Sequence, residues 1–333
     1  MTGKFAQSDV NVLAADIGGT HARFASASVD SGRRVSLGEV FQIDSRQTGI
    51  ASFSDFWAFF RNQAPAELAN VDAFEAVSLA VAGPVTGRSA KLTNIDWNIL
   101  EEETRSFNKL FLLNDFLAQG HALRAAEALD QMEVIRRGET VETGVIALVG
   151  AGTGLGHCAL HPFGSGTSEQ ATFQVASSEA GHAGFPLSGP QESELQKTWL
   201  HRLNKKYLSN DDVVSGKGVV NLHACLTGNS VSAAEALSDP DSETSELFSR
   251  FYARACRNFC LNVFPVSCLV ISGGVAARNP HLIRSRHFMA SFNDAENYRE
   301  LMGRIPILLN VDQRLGIRGA AIFAASKLQG SFD

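Results

Sequence analysis

Residues 13–23 read Leu13-Ala14-Ala15-Asp16-Ile17-Gly18-Gly19-Thr20-His21-Ala22-Arg23, followed by Phe24-Ala25. An apolar run ends on a carboxylate, two glycines and a threonine, and a second apolar run begins. The spacing predicts a strand from Val10 to Asp16, a tight turn and a returning strand through Ala22–Ala25. Such a turn can aim backbone N–H groups at an anion, Thr20 adds a hydroxyl donor, and the glycines let a phosphate come close. Asp16 in front of the turn could hold Mg2+ through water, the mode that cation prefers. One glycine turn between two strands is usually only a turn.

The pattern returns in the second half. Val145-Ile146-Ala147-Leu148-Val149 runs into Gly150-Ala151-Gly152-Thr153-Gly154, and Leu155 to Leu160 can come back as a strand. Gly18 and Gly152 stand at matching places. A third buried run, Leu269-Val270-Ile271, stops at Ser272-Gly273-Gly274. The candidate phosphate-binding residues are therefore Gly18, Gly19 and Thr20, then Gly150, Gly152, Thr153 and Gly154, then Gly273 and Gly274. Two better-known phosphate loops fail on spacing. The position five before Gly216-Lys217 is Asp211 where a Walker loop needs glycine, and Gly154-Leu155-Gly156 enters a strand where a dinucleotide fingerprint must open a helix.

Around these turns, strand-like runs cover Leu37–Ile43, Phe74–Val81, Leu110–Leu113 and Ile305–Leu309. Helical spacing covers Phe53–Phe60, Leu195–Leu203, Val213–Leu226, Leu247–Val263 and Ile317–Lys327. The alternation predicts an α/β fold with mixed sheets. At 333 residues the chain is long enough for two domains. We expect a small N-terminal domain from 1–123 plus 314–333 and a large domain from 124–313.

A formal net charge of -6, with Lys and Arg scattered, argues against nucleic-acid backbone binding. The N-terminus lacks a signal-like apolar core, and no apolar run approaches the ~20 residues that span a bilayer. Five cysteines without CxxC spacing suggest free thiols and a cytoplasmic location.

Two further residue groups are candidates for a site. On spacing alone, Asn114-Asp115 reads as the cap of a helix beginning at Phe116. Glu179 and His182 lie three apart in a glycine-containing loop, where a carboxylate and an imidazole can accept from and donate to vicinal hydroxyls. A structural histidine remains the other reading of His182.

Taken together, the Leu13–Arg23 stretch, Gly150–Gly156 and Ile271–Val275 resemble the two phosphate motifs and the adenosine motif of the bacterial glucokinase family. Leu92-Thr93-Asn94, Asn114-Asp115-Phe116, Ser178–His182 and Ser215–Leu222 follow in that family's order. The resemblance spans nearly the whole chain. It implies two actin-like (ribonuclease H-like) domains flanking an active-site cleft, and ATP-dependent phosphorylation of glucose at O6 with Mg2+. Asp115 would be the general base, and Asn94, Asn114, Glu179, His182 and Asp211 would contact the sugar. A homodimer is expected.

Two departures stand out. His21 occupies a position where many relatives carry Asn. Asp211 stands where the family usually places Glu, one methylene longer, so contact near the anomeric end is expected to be altered or water-mediated and Asp211→Glu to sharpen sugar discrimination. A kinase for mannose or an N-acetylated hexosamine is the nearest alternative. A sugar-responsive repressor would need a helix-turn-helix, and about nine residues precede the first strand. An actin-like ATPase would leave Asn114, Asp115, Glu179 and His182 without a common purpose.

Overall fold

The computed structural model describes residues 9–46, 49–93, 95–125, 127–163 and 172–330. The chain divides into two compact units, Met1–Asp130 with Asp312–Asp333, and Gln131–Val311.

The first unit is built on a six-stranded mixed sheet. Val10–Ile17 pairs antiparallel with His21–Val29 on one side and parallel with Ala76–Val81 on the other. Leu110–Asn114 extends the parallel half, and Val35–Leu37 and Phe41–Asp44 both pair with His21–Val29. Parallel strands covered on both faces carry continuous apolar runs, and all six residues of Ala76–Val81 are buried. On one face the helix Phe53–Gln63 buries Phe53, Phe56 and Phe60, with Phe60 stacked on Phe24 at 3.9 Å between ring centroids. The other face is covered by the closing helix Leu315–Leu328, whose Ala320, Ala321 and Ala324 meet Val12, Ala14 and Ala25. Small residues let that helix come close. A Cβ on Gly319 would overlap the Ala118 carbonyl of the helix Asp115–Ala122, so only glycine fits there.

The second unit repeats the plan. Its sheet runs Thr172–Ser178, Leu155–Phe163, Val145–Ala151, Val266–Ser272, Ile307–Leu309 and Glu133–Arg136 in spatial order, with the central pairs parallel. The long helix Glu243–Asn262 buries Phe248, Phe251, Tyr252, Ala255, Cys256 and Phe259 at three- and four-residue spacing.

The expected elements are present with three changes. Leu37–Ile43 is not one strand, because the chain turns away at Gly38, whose N–H donates to the Ser26 carbonyl at 2.9 Å, and returns only at Phe41. Val213–Leu226 is two helices, Asn210–Val213 and Gly216–Thr227. Val214 closes the first and Ser215 caps the second, its Oγ accepting from the Gly218 N–H at 3.1 Å. The strands Glu133–Arg136 and Thr172–Ser178 and the helix Arg286–Asn293 escaped the apolar pattern, the two strands lying at the sheet's edges.

Register fixes where chemistry can occur. In the first unit Ile17 pairs with Val81 and Val81 with Asn114, so the Gly18 turn, the Gly83 turn and Asp115 leave the same carboxyl edge. In the second, Gly150 pairs with Ser272 and Ile271 with Leu309, so Gly152, Gly273 and Asn310 share an edge. Ligand sites in α/β sheets form outside that edge.

Candidate functional site

At the first hairpin the Gly18 N–H donates to the His21 carbonyl at 3.0 Å. The Arg46 side chain donates from Nε to the Gly19 carbonyl at 2.6 Å, and the Ser45 N–H to Thr20 at 3.0 Å, so a neighbouring segment braces the turn. Asp16 sits at the end of its strand against the first turn of the closing helix. A Cβ on Gly316 would lie 2.7 Å from its Oδ2. Burial pushes the Asp16 carboxyl up to about 6, and Arg23, directly across the hairpin in register, pulls it back. Arg23 is held by Gln42 at 3.0 Å and Gln313 at 3.1 Å. A half-buried carboxylate of this kind suits a cation, whose charge offsets the lost solvation.

Asn114 is the N-cap of the helix Asp115–Ala122. Its Oδ1 accepts from Phe116 at 2.9 Å and Leu117 at 3.2 Å, and its Nδ2 donates to the Gly83 carbonyl at 3.3 Å. Capping is thus the observed role of Asn114, and it fixes the direction in which the helix leaves the strand. Asp115 is the first residue of that helix, part-buried, with Oδ1 accepting from the Phe116 N–H at 3.0 Å. A carboxylate in the first turn of a helix is stabilised by the backbone dipole. Asn94 lies outside the described residues.

In the second unit the candidate residues form one knot around Leu155. The Leu155 N–H donates to Asp211 Oδ1 at 2.6 Å. Its carbonyl is so close to Gly181 that a Cβ there would overlap it, and a Cβ on Gly154 would overlap Asp211 Oδ1. The turn itself closes by Gly152 N–H to the Gly154 carbonyl at 2.7 Å, and the Gly216 N–H donates back to Gly152 at 2.8 Å. Gly273 backs onto the Ala151 carbonyl, and the Tyr252 hydroxyl accepts from the Ala151 N–H at 3.1 Å and donates to the Ser272 carbonyl at 3.4 Å. Three loops therefore converge on the end of the Val145–Ala151 strand. Gly150 is inside that strand, paired to Gly156 and Ser272, while Gly152, Thr153 and Gly154 form the turn.

Glu179 and His182 flank a single 3-10 turn, Ala180–His182. Their side chains are 61% and 64% exposed and 3.7 Å apart at closest. A contact so open to water contributes little stability, which leaves both groups for a ligand. Asn210 ties this turn to Asp211, donating from its N–H to Ala183 and from Nδ2 to Ala180, each at 2.8 Å.

The sequence reading missed Arg46, Gly181, Asn210 and Gly316. A glycine between Glu179 and His182 was a legible signal for Gly181; nothing local marks the others, which act across long sequence separations.

The glucokinase family model matches residues 13–327. A glucokinase of Synechocystis is 28% identical over 95% of this chain and 98% of its own length, and one of Xanthomonas oryzae pv. oryzae is 27% identical over 94% of each. Among solved structures, a glucokinase from Balamuthia mandrillaris in complex with glucose has a TM-score of 0.77 at 20% identity, covering 95% of this chain and 94% of that one. A glucokinase from an Antarctic psychrotroph has a TM-score of 0.72 at 24% identity, over 97% and 100%. The last two likenesses speak for the fold, the actin-like arrangement expected from the sequence. With 13–327 matched, the chain belongs to the glucokinase family.

Proposed function

We propose that this protein transfers the terminal phosphoryl group of ATP to the O6 hydroxyl of glucose. What carries the reading is the register of the first sheet. It brings a part-buried helix-start carboxylate, Asp115, and a braced glycine turn behind Asp16 to one carboxyl edge. Phosphoryl transfer asks a protein mainly to position reactants, to offset charge and to accept one proton.

In this reading Asp115 takes the proton from the sugar hydroxyl as the oxygen bonds to phosphorus and ADP departs. The Gly18–Thr20 and Gly152–Gly154 turns offer N–H and hydroxyl donors to the phosphates, and Gly273 and Gly274 border the nucleoside. Glu179 accepts from a sugar hydroxyl and His182 donates to its neighbour. Asn114 has its Oδ1 engaged in the cap and one Nδ2 hydrogen on the Gly83 carbonyl, and Asp211 has its Oδ1 engaged by Leu155, which leaves the second Nδ2 hydrogen of Asn114 and Oδ2 of Asp211 for the sugar. The half-buried Asp16 fits Mg2+, which when bound supplies charge neutralisation to the phosphates. A cytoplasmic homodimer belongs to the same reading. No helix among the described residues is long and apolar enough to cross a membrane, and size-exclusion chromatography with light scattering reads the mass.

A coupled ADP-release assay across glucose, mannose, N-acetylglucosamine and fructose tests the proposal. Glucose is expected to give the highest kcat/KM. Folded protein that releases no ADP with any hexose would overturn it. The Asp211–Leu155 bond is a specific reason to include mannose, since the residue nearest the expected anomeric end is partly engaged.

A further inference from the structure

The second unit holds a pocket that the catalytic reading does not use. It is bordered by the Leu155–Phe163 strand, the Ala180–His182 turn and the C-terminal end of the helix Glu243–Asn262, and its volume is about 310 Å3. That is the lower end of the range for small-molecule sites. His157 lies at its floor. This side chain is 2% exposed, packs on the Phe259 ring at 4.8 Å between centroids, and finds no hydrogen-bond partner for Nδ1 among the described residues. Buried polar atoms are nearly always paired, and an unpaired one on the wall of a cavity is a place where a ligand atom gains most.

The rest of the lining specifies what that ligand is. Asn258 and Asn262 from the helix and Asn210 from beside Asp211 contribute amides. Asn258 Oδ1 accepts from Arg257 at 3.2 Å, and Asn210 Nδ2 donates to the Ala180 carbonyl. Those contacts leave the Asn258 NH2 as a donor and the Asn210 carbonyl oxygen as an acceptor. Burial pushes the His157 imidazole down to about 4, so at neutral pH it is uncharged and offers one donor and one acceptor nitrogen. Among the described residues no charged side chain lines the pocket, and Phe259, Ala255 and Leu261 supply an apolar wall. Mixed donors and acceptors without charge, beside an apolar face, match hydroxyl groups on a carbon ring.

We propose that this pocket is a regulatory site for a neutral polyhydroxylated molecule of monosaccharide size, held by His157, Asn210 and Asn258. Its route to the sugar is short, given the reading of Glu179 and His182 as hexose ligands. Asn210 donates to both ends of their turn and is followed directly by Asp211, which holds the second glycine hairpin through Leu155. A ligand that reorients Asn210 shifts the turn and the hairpin together.

The probe is myo-inositol, a ring polyol with no hydroxymethyl group to phosphorylate. Titration calorimetry on the whole chain, with glucose held saturating, is expected to give saturable binding with a Kd on the order of 1 mM. Asn258→Leu and His157→Phe should each weaken it about tenfold, and myo-inositol monophosphate should bind about tenfold more weakly than the parent. In the wild type the probe should change the glucose KM at least about twofold, and in Asn258→Leu it should not. Half-buried Asn258 keeps the test standing if His157→Phe fails to fold. Absence of saturable binding overturns the proposal, as does displacement by glucose, equal binding of the phosphate ester, indifference to Asn258→Leu, or binding that leaves the glucose KM unchanged. The calorimetric arm needs no turnover, so it decides the pocket even if the chain phosphorylates no sugar.

Discussion

The two glycine hairpins share connectivity, and each sits at the carboxyl edge of its own sheet, yet they are held differently. In the first, the acid is part of the strand: Asp16 is half-buried beside its turn, opposed by Arg23 and kept close to the closing helix. In the second, the acid arrives from elsewhere, and Asp211 spends one oxygen on the Leu155 N–H while Gly216 and Gly273 brace the same turn. One hairpin stores an electrostatic penalty that a cation can relieve, and the other is a clasp of backbone contacts. A repeated topology thus leaves charge handling and rigid positioning free to separate.

The largest test of that separation concerns turnover. Asp115→Asn should lower kcat by ~10²–10⁴ while leaving the glucose and ATP KM within a few-fold, because a base acts only in the transition state. Turnover close to wild type would remove the first unit's claim to the chemistry. Gly152→Val addresses the clasp. A Cβ at Gly152 meets nothing within 4 Å, so the fold should tolerate it. The added methyls then crowd the phosphates, and the ATP KM should rise by about tenfold or more with the glucose KM little changed. Unchanged ATP kinetics in this variant would mean that the second hairpin does not meet the nucleotide.

Asp16 gives the electrostatic contrast a sign. Its folded-state value, about 6, lies above the ordinary 3.8, so the folded protein holds this proton more tightly than the unfolded chain does. Stability from this group therefore falls as pH rises from about 4 to about 6, and the penalty is fully present above that. Asp16→Asn should raise unfolding stability at pH 8 by up to about 3 kcal/mol, about two units at 1.36 kcal/mol each, and leave it unchanged at pH 4. Urea unfolding at the two pH values reads this directly, and equal gains at both would show that the penalty is not electrostatic. Asp211→Ala should do the opposite in the other hairpin, lowering stability by about 1–2 kcal/mol.

Asp211→Glu is the smallest and sharpest case. From the sequence, the longer side chain was expected to improve discrimination between glucose and mannose. The bond to Leu155 and the tight approach of Gly154 leave little room for another methylene. The expected outcome is now equal or poorer discrimination, by a few-fold in kcat/KM at ~1 kcal/mol, with a loosened second hairpin. Sharper discrimination would show that Asp211 is free to move toward the sugar.

How much of this was written locally can be read from particular residues. Strands that are mostly apolar along their length, such as Ala76–Val81 and Val266–Ser272, announce themselves because both their faces are buried. The glycines at 18, 152 and 273 mark turns for the same reason in reverse. Glu133–Arg136 does not, since an edge strand needs no apolar run and is defined by its partner Ile307–Leu309. Within the site, Asp115 and the Glu179–His182 pair were visible as residue types at suggestive places. The Asp211–Leu155 bond was not, because 56 residues separate the partners and no local pattern encodes where two distant segments meet.

The closing helix has a consequence for how the protein is made. Leu315–Leu328 covers a face of the sheet that begins at Val10, and its Gly319 touches the helix that starts at Asp115. On the ribosome the first 130 residues emerge well before that cover exists, whereas residues 131–311 form a unit from one continuous stretch. The portion synthesised first should therefore be the last to become protease-resistant. Chains stalled before residue 315 should present a folded second unit tethered to an uncovered first sheet, a natural substrate for chaperones that recognise exposed apolar strands.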